Sequence, residues 1–121
     1  MKHRLTRAAD VDIEHILRDT LKLFGPRQLD IYAGYLSRAI EMAADNPQRA
    51  SCIDRSEIRP GLRSIHLEIA ARRRRSASHI VYFEVGTRSG KPEIVIVRVL
   101  HEKMEPKRHL IRALRETSSD D

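Results

Sequence analysis

The sequence predicts an α+β domain in two layers: an antiparallel helical hairpin packed on a mostly antiparallel sheet of three or four strands, with an N-terminal strand and a short C-terminal helix. Three observations carry this. Apolar residues recur at helical spacing in two successive stripes separated by Gly25-Pro26. Beyond residue 62 the period drops to two, ending in a run of β-branched residues from Ile94 to Leu100. The 121 residues suffice for one hydrophobic core, whereas two cores would each be too small to stand alone. We read a single domain over residues 1–116 and an acidic, disordered tail over 117–121.

Residues 2–6 form a short edge strand, and Thr6 caps the helix that follows, with Asp10 and Asp12 near its positive end. Ile13, Ile16, Leu17, Thr20, Leu21 and Phe24 line one face of that helix. Gly25 stops it, and Pro26 suits the first position of the next helix. Leu29, Tyr32, Ala33, Leu36, Ala39, Ile40 and Ala43 make the second stripe, which ends at Asn46-Pro47. So short a joint folds the two helices back on each other.

Ile31, Tyr35 and Met42 lie beside the second stripe or across from it. They fit either a helix sandwiched between its partner and the sheet, or a groove left apolar until a partner fills it. Residues 47–62 read as a loop. Ile65, Leu67 and Ile69 alternate with Ser64, His66 and Glu68 as a half-buried strand, and His79 to Val85 is the next. Gly86 to Pro92 supplies a turn before the central strand, and the three strands form an antiparallel meander. Pro106 opens a last helix carrying Leu110, Ala113 and Leu114.

Composition narrows the function classes. With 23 Lys and Arg against 17 Asp and Glu, the net charge of +6 points to an acidic partner: nucleic acid, a nucleoprotein machine or an acidic protein. Aromatic residues make up 4 %, so the core is aliphatic and base stacking on the sheet is disfavoured. No apolar stretch approaches the ~20 residues of a membrane span, and no secretory leader opens the sequence. The one cysteine, Cys52, leaves no intramolecular disulfide and fits a reducing, cytoplasmic setting. We expect no metal and no cofactor. There is no His-Glu-x-x-His pattern, no glycine-rich phosphate loop and no Gly-x-Ser-x-Gly elbow.

Three groupings carry possible chemistry. Arg72-Arg73-Arg74-Arg75 is the densest charge in the chain and falls at a hairpin tip, either as a solvated loop or as a phosphate contact. Arg59, Arg63 and Arg98 gather near His101, and Arg98 interrupts an apolar strand, so it needs an internal carboxylate or carbonyl partner or an opening to solvent. His66, His79 and His101 lie on or just past strands with Glu68 and Glu84. By alternation Glu68 shares a face with His66 and Ser64, a weak acid–base signal that any solvated strand face gives.

Certain segments resemble ParE toxins. Leu5-Thr6 leading into Ala8-Ala9-Asp10-Val11-Asp12-Ile13, and later Asn46-Pro47, is similar to the family's opening. So is Arg59-Pro60-Gly61-Leu62-Arg63-Ser64 followed by His79-Ile80-Val81-Tyr82-Phe83. Most specific is the close, Ile96 to Leu110, where Met104-x-Pro106-x-x-His109-Leu110 follows Leu100-His101 almost position for position. The arginine run at 72–75 and the segment from Ile111 to Asp121 depart from the family pattern.

The resemblance implies a RelE/ParE-like fold and the toxin of a type II toxin–antitoxin module. It further implies a ParD-type antitoxin partner with an acidic, disordered tail, and DNA gyrase as target. The toxin would block replication by binding rather than by catalysis, and without sequence-specific nucleic-acid binding of its own. Periodicity and resemblance together give Leu17, Leu21, Phe24, Tyr32, Tyr35 and Leu36 as antitoxin contacts. Arg98, His101, Met104 and His109, supported by Arg59 and Arg63, are the expected target surface. The alternative on the same fold is a ribosome-dependent mRNA interferase of the RelE type, against which stands the lack of a tyrosine near the C-terminus. A small nucleic-acid-binding module using Arg72 to Arg75 is a third reading.

Overall fold

A computed structural model describes residues 1–119, with side chains from 1 to 115. The chain runs β1 (Lys2–Leu5), α1 (Arg7–Phe24), α2 (Pro26–Asp45), β2 (Ile53–Asp54), β3 (Arg63–His66), α3 (Leu67–Ala71), β4 (His79–Arg88), β5 (Lys91–His101) and α4 (Pro106–Ser119). The strands form one sheet in the order β1-β5-β4-β3-β2, antiparallel except where β1 pairs parallel to β5.

Thr6 makes the junction between the edge strand and the hairpin. Its amide bonds the Ile96 carbonyl at 3.0 Å and its hydroxyl donates to the Val97 carbonyl at 2.8 Å. The same oxygen accepts the Ala9 N–H at 3.1 Å as the cap of α1. Gly25 then turns the chain at φ +88, a conformation that side-chain-bearing residues resist, and Pro26 starts α2.

The sheet is covered on both faces. Toward the hairpin, Val81, Phe83, Ile94, Ile96 and Val99 pack against Ala9, Leu36, Ala39, Ile40 and Ala43. On the opposite face Leu62, Tyr82, Val97 and Leu100 receive Leu110, Ala113 and Leu114 of α4. The C-terminal helix therefore closes a second small core, which is why Val97 and Leu100 are apolar on a strand otherwise backed by the hairpin.

Four sequence expectations are corrected. The strand expected over residues 64–69 ends at His66. There the imidazole Nδ1 accepts the Glu68 N–H at 3.1 Å and opens α3, which buries Leu67 and Ala70 one helical turn apart. Ser64 is buried, not outward, its hydroxyl taking the Arg55 Nε–H at 2.9 Å. The arginine run leaves α3 instead of tipping a hairpin, with Arg72 and Arg75 at positive φ. The hairpin turn is tighter than Gly86–Pro92: β4 and β5 are joined by Ser89-Gly90, both at positive φ, as two-residue turns require. A two-residue β2 was also unforeseen. Of the tail expected over 117–121, the backbone of residues 117–119 continues α4, and 120–121 lie outside the described residues.

Candidate functional site

The free end of β5 organises the site. Beyond Ile96, β1 no longer pairs with β5, and the Val99 N–H is taken instead by Asp12 of α1 at 3.0 Å. The same carboxylate receives Arg98 in a fork, Nε to Oδ2 at 2.6 Å and Nη2 to Oδ1 at 2.7 Å. Both side chains are mostly enclosed, 19 % and 12 % exposed. Arg98 thus has the internal partner that a charge inside an apolar strand calls for, and it fixes α1 to the end of the central strand.

Where β4 begins and β5 ends, His79 and His101 are register partners with their rings 5.3 Å apart, edge to face. Tyr32 reaches from α2 to place its hydroxyl 2.6 Å from His79 Nδ1 and accepts the Ser78 N–H at 3.3 Å. The hydroxyl and Nδ1 share one hydrogen, and the ring's tautomer decides which of them donates it. Burial, aided by the neighbouring His101 and His66, pushes His79 down to about 4, so it is neutral at physiological pH. Burial also raises Tyr32.

His66 faces the same region, its Nε2 donating to Glu102 Oε2 at 2.7 Å while Nδ1 caps α3. That bond holds the Glu102 carboxyl below its ordinary value. Three histidines noted in the sequence therefore do converge, but with Glu102 and Tyr32 as partners. Glu68 belongs to α3, where it accepts the Arg75 N–H at 3.2 Å, and Glu84 faces Arg59 at 3.9 Å. Among the described residues no three His, Cys, Asp or Glu side chains are placed to hold a metal ion.

Two cavities flank His79, and Phe24 and Thr20 line both. One, of about 380 Å³, is walled by Gln28, Tyr32, Glu68, Arg75 and Glu102. The other, of about 270 Å³, lies between α1 and the end of β5 and is lined by Ile16, Leu23, Val99, His101 and Met104. Above them the last turn of α1 exposes Leu23 at 73 % and Phe24 at 70 %, with Leu21 also exposed. This is an apolar surface beside a groove.

The expected antitoxin contacts divide. Leu21 and Phe24 are exposed, and Leu17 and Tyr35 are partly buried against the hairpin core. Tyr32 and Leu36 are core residues, because the stripe that carries them is the one facing the sheet. Leu23, absent from the expected contacts, sits off the apolar stripe of α1, and an apolar side chain at that position is itself the signal in the sequence.

The expected target residues do not form one patch. Arg98, His101 and Met104 line the smaller cavity. Arg63 is tied down by the carbonyls of Pro47 at 2.7 Å and Cys52 at 2.5 Å. Arg59 lines a separate depression with Ile58, Pro60 and Ile111, and His109 stands half-buried on α4. Cys52 is buried, which raises its thiol and disfavours a nucleophilic role. Among the described residues no helix is long and apolar enough to cross a membrane.

A family model described as the ParE toxin of the type II toxin–antitoxin system parDE matches residues 4–106. The protein named Toxin ParE1 from Mycobacterium tuberculosis is 33 % identical over 109 residues, 90 % of this chain and 97 % of that one. Toxin ParE1 from Caulobacter vibrioides is 32 % identical over 108 residues, 89 % and 96 % of the respective chains. Among solved structures, a chain of the chromosomal ParDE TA system from P. aeruginosa shares the fold, with TM-score 0.59 at 22 % identity over 84 % of this chain and 95 % of that one.

Proposed function

The chain belongs to the ParE toxin family of type II toxin–antitoxin systems, and from that premise we propose that it arrests growth in the cytoplasm by binding DNA gyrase and blocking replication, acting as a ligand and not as an enzyme. A ParD-type antitoxin neutralises it by covering the last turn of α1. The observation that carries this reading is the apolar surface of Leu21, Leu23 and Phe24 at the mouth of the groove lined by His101 and Met104. A basic chain with such a surface suits an acidic segment that orders on binding, apolar side chains seated in the groove and carboxylates toward the arginines. His101 and Met104, at the exit of β5, are the target residues beside this groove, and Arg59 is exposed in a separate depression. Arg98 and Arg63 support them from internal ion pairs and hydrogen bonds.

The test is a gyrase supercoiling and DNA-cleavage assay with purified protein freed of antitoxin. Loss of supercoiling with accumulated cleaved DNA is expected, and His101→Ala with Met104→Ala should weaken it. No inhibition at high excess of folded protein would refute gyrase as the target. Truncation after Leu100 is the poorer probe, since it removes Leu110, Ala113 and Leu114 from the second core.

One observation favours a second reading, ribosome-dependent mRNA cleavage. His66, His79 and His101 stand together with Glu102 and Tyr32, a set of donors and acceptors suited to proton transfer. Intact transcripts during growth arrest would eliminate it.

A further inference from the structure

The function proposed above leaves Arg72-Arg73-Arg74-Arg75 unused. All four side chains are exposed, and among the described residues none is paired with a carboxylate. The loop is held in one shape: Ser76 bonds the Arg73 carbonyl through its hydroxyl, and the Arg75 N–H is fixed on Glu68. Arg72 and Arg75 both adopt the left-handed conformation, at φ +58 and +61, a strained backbone for a side-chain-bearing residue. A fifth guanidinium, Arg38, donates to the Ala70 carbonyl at 2.8 Å and so stands at the base of the loop. Held this close, the cations repel one another, and the one carboxylate bonded to the loop, that of Glu68, takes a backbone N–H and not a guanidinium.

We infer that the Arg72–Arg75 loop, with Arg38 at its base, is a sequence-independent contact for the phosphate backbone of duplex DNA. A polyphosphate ladder presents repeated anions to a protruding loop without needing a groove, and guanidinium forks match phosphate oxygens two at a time. An acidic peptide would need apolar anchoring as well; Ile69 is exposed on α3 and Phe24 shares a cavity with Arg75, but Arg72, Arg73 and Arg74 stand outside that cavity's lining. Single strands are bound on successive aromatic platforms, and Phe24 is the one exposed Phe or Tyr ring among the described residues.

The inference does not depend on gyrase, and its assay contains none. The antitoxin-free protein is titrated against short fluorescent duplexes, AT-rich and GC-rich, over a salt series read by anisotropy. Four phosphate contacts give a log–log salt slope near −3.6, roughly a 150-fold loss of affinity between ~50 and ~200 mM salt. Replacing all four arginines with glutamine should flatten the slope by about 3.6 and weaken both duplexes equally, while four lysines should preserve it. Arg73→Gln with Arg74→Gln, which touches neither left-handed position, should remove about half the slope and serves if the quadruple variant misfolds. No binding at ~50 mM salt, an unchanged slope in the glutamine variants, or loop-dependent capture of polyglutamate more tightly than the duplex would overturn the inference.

Discussion

Replacing Asp12 with alanine removes one carboxylate on which three donors converge: Arg98 Nε at 2.6 Å, Arg98 Nη2 at 2.7 Å and the Val99 amide at 3.0 Å. What remains is a guanidinium only 19 % exposed beside an N–H without its acceptor. Breaking an enclosed pair by deleting one partner costs about 3–5 kcal/mol, and the orphaned amide about 1 more. Water reaching the exposed edge of Arg98 offsets part of this, so we expect a loss of about 3 kcal/mol. For a domain this size that lowers Tm by about 12 °C. Asp12→Asn, which keeps an acceptor for Val99, should lose about half as much. Combining Asp12→Ala with Arg98→Met removes both charges and should recover about 2 kcal/mol relative to the sum of the single changes. Urea unfolding of the four proteins measures the cycle. A loss below about 1 kcal/mol for Asp12→Ala, or coupling below about 0.5 kcal/mol, would refute the assignment of Arg98 to the fold. Loss of toxicity in a stably folded double variant would instead place Arg98 on the target surface.

Two other expectations can be checked directly. Changing Leu23 and Phe24 to serine should leave the melting temperature within a degree or two, because both are largely exposed, yet weaken antitoxin binding at least 10-fold by calorimetry. Equal affinity would move the antitoxin contact elsewhere. Stability should also fall as pH drops from the ordinary imidazole value of 6.5 to about 4, because over that interval the unfolded chain takes up the proton that folded His79 refuses. The full displacement corresponds to about 3 kcal/mol, reduced to about 1–2 by the ring's partial exposure. His79→Gln should flatten that interval in urea melts at stepped pH, and an unchanged profile would refute it.

The hairpin, its Gly25-Pro26 joint, the Thr6 cap and the central strand were legible because each is dictated by local periodicity or backbone chemistry. The misread stretch, Ser64 to Ile69, shows the limit. Its alternation looked like a strand, but His66 capping Glu68 and the burial of Ala70 against α2 favour a helical turn, and neither is visible in apolar spacing. The site was half legible. Arg98 announced its need for a partner, but Asp12 lies 86 residues away and only the fold pairs them. For Tyr32 and Leu36, periodicity identifies an apolar face without saying whether the sheet or a partner covers it: both pack in the core, and Tyr32 also walls the larger cavity. Their packing on the sheet leaves the off-stripe Leu23 and its neighbours exposed for a partner.

The parallel pairing of β1 with β5 has a temporal consequence. Lys2 to Leu5 align with Glu93 to Ile96, so the first strand synthesised waits for the last. A chain emerging from the ribosome can form the α1–α2 hairpin early, since its contacts are local. The sheet that buries the apolar stripe closes only after Val97 has cleared the exit tunnel. Until then Asp12 has no Arg98, Tyr32 has no His79, and the groove beneath Phe24 lacks the wall supplied by β5. Prematurely terminated translation products therefore carry the exposed helices without the surface that β5 completes.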